Sequence, residues 1–269
     1  MTTTTTASAV SEEVLLRHDE AGITTLTLNR PRQYNALSQA LLADLQNTLD
    51  ALAEDDSVRV VIITGSGQHA FCAGHDLKEM RSHVDPAYHQ ALFEQCSRMM
   101  LTINRLPKPV IAQVNGIATA AGCQLVAACD LAVAADNARF ATSGINVGLF
   151  CATPAVPLSR NLNRKQAMHL LLTGDFIDAR TALAQGLINQ VTDIGDLPLM
   201  VRRLAETIGK KSPLAVKLGK EMFYKQLEMD LEAAYRYASG VMACNMDSED
   251  AREGIDAFFA KRQPRWQGQ

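Results

Sequence analysis

The sequence has no long apolar run, no closely spaced cysteine pair and no marked excess of either charge. No run reaches the roughly 18 apolar residues that a membrane-spanning helix needs, so we expect no such helix. None of the six cysteines forms a C-x-x-C pair, which favours reduced thiols in a cytosolic protein. With a net charge of −3, the chain also lacks the basic surplus typical of nucleic-acid or membrane-surface binding.

The common nucleotide-binding and nucleophile motifs are absent as well. There is no G-x-x-x-x-G-K-[ST] loop, no G-x-G-x-x-G after a strand and no G-x-S-x-G elbow. His83 and His89 are six residues apart, a spacing that does not place two ligands on one helix face. We therefore expect no metal site.

The first residues carry no targeting signal that we recognise. The opening "MTTTTTASAVSEE" is polar and contains acids but no arginine, so it resembles neither a signal peptide nor a good transit peptide. We interpret residues 1–12 as a disordered tail. Together with the cysteine pattern, this predicts a cytoplasmic location and makes the mitochondrial matrix less favoured.

The rest of the chain contains strand-like segments first and helical segments later. Val14–His18 and Ile23–Leu28 flank the turn signal "DEAG" and predict a hairpin. Three apolar runs predict buried strands: "VRVVIITG" at Val58–Gly65, "VIAQVNG", and "LAVAAD" at Leu131–Asp136.

Helix signals occur at several points between and after these strands. Ser38 is expected to cap one helix, and a second is expected over Ala87–Leu106. From about Leu158 onward we expect only helices, with Gly174 ending one and Asp178 beginning the next.

Two segments repeat one plan. "VVIITGSGQHAFCAGHDL" and "PVIAQVNGIATAAGCQL" each contain a buried strand, a loop, an Ala-Gly pair and helix-like sequence. If the strands are neighbours in a parallel sheet, both helices begin at the same edge, where free backbone N–H groups collect. Two such groups directed at one point form an oxyanion hole. The alternative is that the small residues only allow helices to pack closely on strands.

At these loops the sequence resembles the enoyl-CoA hydratase/isomerase, or crotonase, superfamily. Four stretches carry the resemblance, which covers about residues 14–266: "LTLNRPRQYNALS", "VVIITGSGQHAFCAGHDLKEM", "KPVIAQVNGIATAAGCQLVAACDLAVAADNARFA" and "EGIDAFFAKRQPRW". Three shorter ones, "AAGCQLVAACD", "VGLFCATP" and "LGKEMFYKQL", resemble one subgroup of that family.

The resemblance implies an α/β fold, a crotonase-like spiral of ββα units with a helical C-terminal trimerisation region. We expect the spiral core over residues 13–200 and the helical oligomerisation region over residues 201–269. The implied partners are acyl-CoA thioesters and further copies of the chain, as a homotrimer or a dimer of trimers. Coenzyme A is then part of the substrate, and no tightly bound cofactor, nucleic acid or membrane is expected.

The resemblance also implies site residues. The family's oxyanion hole is formed by backbone N–H groups that correspond to His75 and Ala121. The implied coenzyme A contacts are His75, Asp76, Leu77 and Lys78 in the first loop, and Phe258 and Lys261 reaching from a neighbouring subunit.

The sequence departs from the family at the two glutamates that activate water in its hydratases. These positions are occupied by Gln124 and Gly144. A glutamine amide can orient a water but cannot accept its proton, and glycine offers no side chain. Because each general acid or base contributes about 10²–10⁴-fold, we expect little ordinary hydration.

Other groups near the loops have open roles. We interpret Asp76 and Glu79 as structural carboxylates. The His75 side chain could transfer protons near neutral pH, or it could face solvent or a coenzyme A phosphate. Cys123 is expected to be a packing residue. Cys151 corresponds to the family's acyl-pocket region, where a reactive role stays open.

Three hypotheses follow for the function. The first is an acyl-CoA enzyme, nominally an enoyl-CoA hydratase, with weak activity or a different reaction such as isomerisation. The second is a non-catalytic acyl-CoA binding or regulatory protein. The third is a scaffold subunit that keeps the fold only for assembly, which the retained loops disfavour.

Overall fold

The computed structural model describes residues 13–269, so the tail expected over residues 1–12 lies outside the described residues. Its strands are β1 Leu15–Glu20, β2 Ile23–Leu28, β3 Val60–Gly65, β4 Ala70–Cys72, β5 Val110–Val114, β6 Ile117–Thr119, β7 Leu131–Ala135, β8 Arg139–Ala141, β9 Ile177–Asp178 and β10 Gln190–Thr192.

The helices follow the strands in alternation and then fill the C-terminal part. They are α1 Gln39–Glu54, α2 Leu77–Ser82, α3 Pro86–Arg105, α4 Ala121–Ala128, α5 Ala152–Asn161, α6 Arg164–Thr173, α7 Ala179–Gln185, α8 Leu197–Gly209, α9 Pro213–Gln226, α10 Leu231–Met246 and α11 Glu249–Phe259. Short 3-10 helices cover Pro31–Gln33 and Ser143–Val147.

The strands form two sheets that are connected by a repeated step. The larger sheet has the order β1-β2-β3-β5-β7-β10, antiparallel between β1 and β2 and parallel elsewhere. The smaller has the order β4-β6-β8-β9. From β3 onward, a strand of the large sheet is followed by a strand of the small sheet and then by helix, in the pairs β3 and β4, β5 and β6, and β7 and β8. This arrangement is the expected spiral of ββα units.

The apolar runs form strands that are buried on both faces of the large sheet. In β3, Val61 and Ile63 join the main core with α1, α3 and α4, whereas Val60 and Ile62 face α8 on the other side. A parallel strand covered on both faces needs apolar residues throughout, which is why "VVIIT" does not alternate.

The expected helix ends are confirmed by their caps. The Ser38 hydroxyl accepts a hydrogen bond from Leu41 N, and the Asp178 carboxylate accepts one from Thr181 N. Gly174 ends α6 in the left-handed conformation with φ 68°. These caps satisfy backbone groups that a helix leaves unpaired at its ends.

The expectation of helices only after Leu158 is wrong at two places. β9 joins β8, and β10 extends the edge of the large sheet beside β7. α5 begins at Ala152, before the point where we expected helices to start, and β4 and β6 form within segments interpreted as loops. Strands of two or three residues are too short to show an alternating pattern, so their sequence carries little signal.

The C-terminal helices differ in how far they are buried. Leu197, Val201 and Ala205 of α8 pack on the large sheet, and the expected division after residue 200 falls inside this helix. By contrast, α9, α10 and α11 expose large apolar side chains. No helix within residues 13–269 combines the length and apolar character required to cross a membrane.

Candidate functional site

The two Ala-Gly loops lie in contact. β3 and β5 pair in parallel, so the segments after them leave the sheet in the same direction. Gly74 has φ +94°, and a Cβ there would lie 2.9 Å from the Ala120 Cβ and 3.2 Å from the Ala121 nitrogen. Glycine at this position therefore permits both the backbone conformation and the close approach of the second loop.

Two backbone N–H groups are left free where the loops meet. Around His75, the Gly74 carbonyl accepts a hydrogen bond from Leu37 N at 2.7 Å, and Asp76 N donates to Leu37 O at 3.1 Å. Ala121 is the first residue of α4, so its N–H has no partner within the helix. Throughout the described part of the chain, no acceptor is found for the N–H of His75 or Ala121. Both N–H groups are therefore unpaired donors on two loops that touch.

The start of α4 adopts an unusual backbone conformation. Ala120 has φ 50° and ψ −121°, a region that side-chain-bearing residues rarely occupy. Its N–H is bound to Ala141 O at 3.0 Å. A conformation of this kind costs about 1–3 kcal/mol, which the surrounding structure has to offset. Gly122 follows, and a Cβ there would overlap the Cys72 carbonyl. The small residue at this position therefore also allows α4 to pack closely on β4.

The His75 imidazole is buried against α3. Its ring meets the Phe93 ring edge to face, with centroids 5.4 Å apart. Both ring nitrogens are buried, and neither has a hydrogen-bond partner among residues 13–269. Burial lowers the pKa of His75 to about 4. A side chain that titrates near neutral pH or faces solvent is therefore a wrong expectation.

The positions of the two missing glutamates differ in character. Gln124 is 3% exposed, and its Oε1 has no partner within the described chain. A Cβ at Gly144 would lie 2.7 Å from Leu149 O and 2.9 Å from Cys151 Sγ. Position 124 thus has an unpaired amide oxygen, whereas neighbouring atoms fill the space that a side chain at position 144 would need.

The cysteines near the site are buried, which disfavours the reactive thiolate form. Burial raises the pKa of Cys123 to about 12, and burial also raises the pKa of Cys151. No disulfide occurs in the described chain, and of its six cysteines only Cys244 is exposed. Cys123 is therefore a packing residue, and the thiol of Cys151 is predominantly protonated at neutral pH.

The carboxylates beside the first loop have structural contacts. Asp76 accepts hydrogen bonds from Lys78 N and Glu79 N at the start of α2, and its Oδ2 lies 2.8 Å from Arg30. Glu79 accepts a hydrogen bond from Gln39 N at 3.1 Å. These carboxylates fix the loop, whereas Leu77 and Lys78 are exposed beside it.

Phe258 and Lys261 lie apart from the loops in the C-terminal part. Phe258 is 78% exposed at the end of α11, and Lys261 follows that helix with φ 52°. The single chain therefore presents these side chains outward, and a cavity of about 380 Å³ near Trp266 involves other residues.

Sequence reasoning missed a buried polar network behind the site. Asp130 accepts hydrogen bonds from Val110 N and Lys220 Nζ, each at 2.7 Å, and from Tyr224 OH at 2.8 Å. A lone acid between two apolar runs, in "AACDLAVAA", is the signal that could have indicated it. No group of three or more potential metal ligands occurs in the part of the chain that the structure describes.

Comparisons with known proteins show the family of the chain. The family model described as "Enoyl-CoA hydratase/isomerase" matches residues 18–269. "Enoyl-CoA hydratase domain-containing protein 3, mitochondrial" of Mus musculus is 47% identical over 245 residues, which are 91% of this chain and 81% of that protein.

Solved structures extend the similarity to the fold. The crystal structure of an enoyl-CoA hydratase from Mycobacterium smegmatis is 54% identical, with a TM-score of 0.92, covering 95% of this chain and 99% of that one. Human enoyl Coenzyme A hydratase domain-containing protein 3 is 44% identical with a TM-score of 0.92, covering 94% and 100%. These matches confirm the fold and the subgroup indicated by the three short stretches.

Proposed function

Because the chain belongs to the enoyl-CoA hydratase/isomerase family, we propose that it binds acyl-CoA thioesters and polarises their carbonyl group between the His75 and Ala121 N–H groups. The proposal rests on one observation, the pair of free donors on two loops in contact. We assign to it a weak or altered enoyl-CoA hydratase reaction rather than efficient hydration.

The chemistry follows from where charge develops. When a nucleophile adds at Cβ of an enoyl thioester, or a proton leaves Cα, negative charge grows on the thioester oxygen. Two fixed N–H donors stabilise that oxygen, and removal of one such donor costs about 3 kcal/mol in comparable sites. Backbone donors do not depend on side-chain identity, so histidine and alanine both suit these positions.

Proton transfer is the weak part of the site. Gln124 cannot accept a proton, and Gly144 has no side chain. His75 is neutral at pH 7, but with a pKa of about 4 it is a poor base. Isomerisation would need a carboxylate in the pocket, and those of Asp76 and Glu79 are engaged in structural contacts.

A second candidate function is acyl-CoA binding without turnover. The unpaired Gln124 Oε1 favours it, because an amide oxygen can accept a hydrogen bond from a water or a ligand hydroxyl without taking its proton. In both cases coenzyme A contacts the segment His75–Lys78, and in a trimer Phe258 and Lys261 of a neighbouring copy complete the site.

The compartment is a separate matter. The relative from Mus musculus is named mitochondrial, a finding that weighs against the cytoplasmic location expected from residues 1–13. We therefore propose that the protein lies in a compartment where acyl-CoA is metabolised, and we do not favour the cytoplasm over the mitochondrial matrix.

Isotope-edited infrared spectroscopy tests the carbonyl site directly. A ¹³C-labelled thioester carbonyl of bound crotonyl-CoA should shift to lower frequency than in solution, because both donors polarise it. Ala121→Pro removes one donor at a first helical position, where proline is otherwise tolerated, and should reduce the shift. Arg164→Pro makes the same change at the exposed start of α6 and serves as the control.

Calorimetry and product analysis complete the test. Crotonyl-CoA should bind saturably and crotonate should not. Mass detection of products over a panel of acyl-CoAs separates a weak enzyme from a binding protein. If no acyl-CoA of any chain length binds, both candidate functions are wrong.

A further inference from the structure

A buried ionic network lies at the far end of α4. Asp130 comes two residues after this helix, and its carboxylate accepts three hydrogen bonds, from Val110 N, Lys220 Nζ and Tyr224 OH. Lys220 in turn donates to the Asp130 carboxylate at 2.7 Å, to Ile103 O at 2.9 Å and to Lys108 O at 3.0 Å. All three ammonium protons therefore have acceptors.

The network joins the two ends of one structural unit. Asp130 N donates to Val110 O at 3.0 Å, and its carboxylate accepts from Val110 N. Val110 begins β5, and the chain then passes through β6 and α4 before it reaches Asp130. The contact with Asp130 thus closes a loop that contains the free Ala121 N–H.

The same lysine also contacts the other wall of the site. Its ammonium binds Ile103 O near the end of α3, the helix whose Phe93 ring packs on His75. One cation from α9 therefore ties together the ends of α3 and α4. Because α4 has only eight residues, about 12 Å, a shift at its end is carried to its first N–H group.

Stability alone is a weak reason for such a network. A buried ion pair often contributes little net stability, because desolvation offsets the attraction. Desolvation also lowers the pKa of Lys220, with Asp130 opposing that shift. What the network does provide is fixed geometry, since the ammonium of Lys220 and the carboxylate of Asp130 each make three hydrogen bonds and are largely shielded from solvent.

We propose that Asp130, Lys220 and Tyr224 are positioning residues that set the direction of the Ala121 N–H by fixing the C-terminal end of α4. The inference rests on the proposed function, because that function gives this N–H its role. It makes α9, which lies outside the loops, a determinant of the carbonyl site.

The test compares three variants in the full chain. Tyr224→Phe removes one hydrogen bond and leaves the ion pair. The double variant Lys220→Met with Asp130→Asn removes both charges together, which avoids leaving one buried charge unpaired. Lys217→Met is the matched control, because Lys217 is exposed on the same helix and has no ion pair within residues 13–269.

Two measurements separate positioning from general stability. In ¹⁵N-alanine-labelled protein without ligand, the Ala121 amide resonance should move in the first two variants and stay in place in the control. With bound ¹³C-crotonyl-CoA, the carbonyl shift should shrink, and the preference for crotonyl-CoA over free coenzyme A should fall by about 2- to 30-fold.

The outcomes are distinct. Variants that fold, and that keep both the wild-type Ala121 resonance and the wild-type carbonyl shift, overturn the positioning role and leave the proposed function intact. A wild-type protein that binds crotonyl-CoA with no carbonyl shift, or does not bind it, overturns the carbonyl site and the positioning role with it.

Discussion

At the scale of single residues, His75 combines a backbone role and a side-chain cost. Its N–H is one of the two donors that we propose to bind the thioester oxygen, while both nitrogens of its ring are buried without a hydrogen-bond partner in the described chain. Burying an unpaired polar group costs about 1–3 kcal/mol. The ring stays neutral, so it can pack on Phe93 without the larger cost of a buried charge.

This burial predicts a specific dependence of stability on pH. Below about pH 6.5 the unfolded chain protonates this histidine, while the folded protein, with a pKa of about 4, does not. Stability from this group is complete above pH 6.5 and is lost as the pH falls towards 4, by about 3 kcal/mol in total.

Urea unfolding of wild type and His75→Phe across this range measures the effect. The wild type should lose about 3 kcal/mol more than the variant, because the variant lacks the titrating group. His169→Phe, at an exposed histidine of α6, should follow the wild type. Parallel curves for wild type and His75→Phe would contradict a buried neutral ring.

Placing glutamates at the two positions should raise the rate of enoyl-CoA hydration, but the two substitutions should differ in their effects. Gln124→Glu is nearly isosteric and should fold, yet alone it should gain little, since two groups handle the water in hydratases of this family. Gly144→Glu must displace Leu149 O or Cys151 Sγ, at a cost of about 1–3 kcal/mol from overpacking.

The double variant should therefore be less stable than wild type but faster in its folded fraction, by up to about 10²–10⁴-fold for each working acid or base. Loss of enoyl absorbance of crotonyl-CoA gives the rate, and circular dichroism gives the folded fraction. A wild type that already hydrates as fast as ordinary hydratases would show that a different residue transfers the proton.

At the scale of elements, the strained residue before α4 predicts whether a substitution by glycine raises or lowers stability. Ala120→Gly should leave stability unchanged or raise it by about 1 kcal/mol, because glycine occupies positive φ without strain. Ala91→Gly, at an exposed position inside α3, should lower stability by about 1 kcal/mol. Equal losses in the two variants would mean that Ala120 is not strained.

The elements differ in how well their sequence predicts them. The hairpin, β3 and the capped helices were predictable, because their patterns extend over six or more residues or include a cap. The short strands β4, β6, β9 and β10 were not, because they are stabilised by neighbours in the sheet rather than by a local pattern.

The site shows the same division. The contact between the two Ala-Gly loops followed from parallel neighbouring strands. The depth of the His75 ring did not, because it depends on Phe93, which approaches from a helix about twenty residues away in the chain. The closure at Gly144 likewise depends on the later fold of Leu149 and Cys151.

At the scale of the whole molecule, the C-terminal helices leave an apolar surface uncovered in one copy. On α10, Leu231 is 74% exposed, and Tyr235 and Met242 are each 70% exposed. Apolar surface of this kind commonly marks an interface, and we expect it to be covered by further copies of the chain in a trimer-based assembly.

Tyr235→Glu combined with Met242→Glu should convert the assembly into monomers, because a carboxylate resists burial. Arg236→Glu places the same acid on another face of α10 and should leave the assembly intact. Sedimentation velocity at micromolar concentration distinguishes these results. A wild type that sediments as a monomer would rule out the expected assembly.

The uneven burial of the thiols makes the protein convenient for fluorescence work. Alkylating dyes react with thiolates, and the buried cysteines are shielded from them, whereas Cys244 lies exposed on α10. A maleimide dye should therefore attach once per chain without prior mutagenesis. When donor-labelled and acceptor-labelled protein are mixed, the efficiency of energy transfer would measure the distance between the α10 helices of two copies. The rate at which energy transfer increases would measure how quickly the copies exchange.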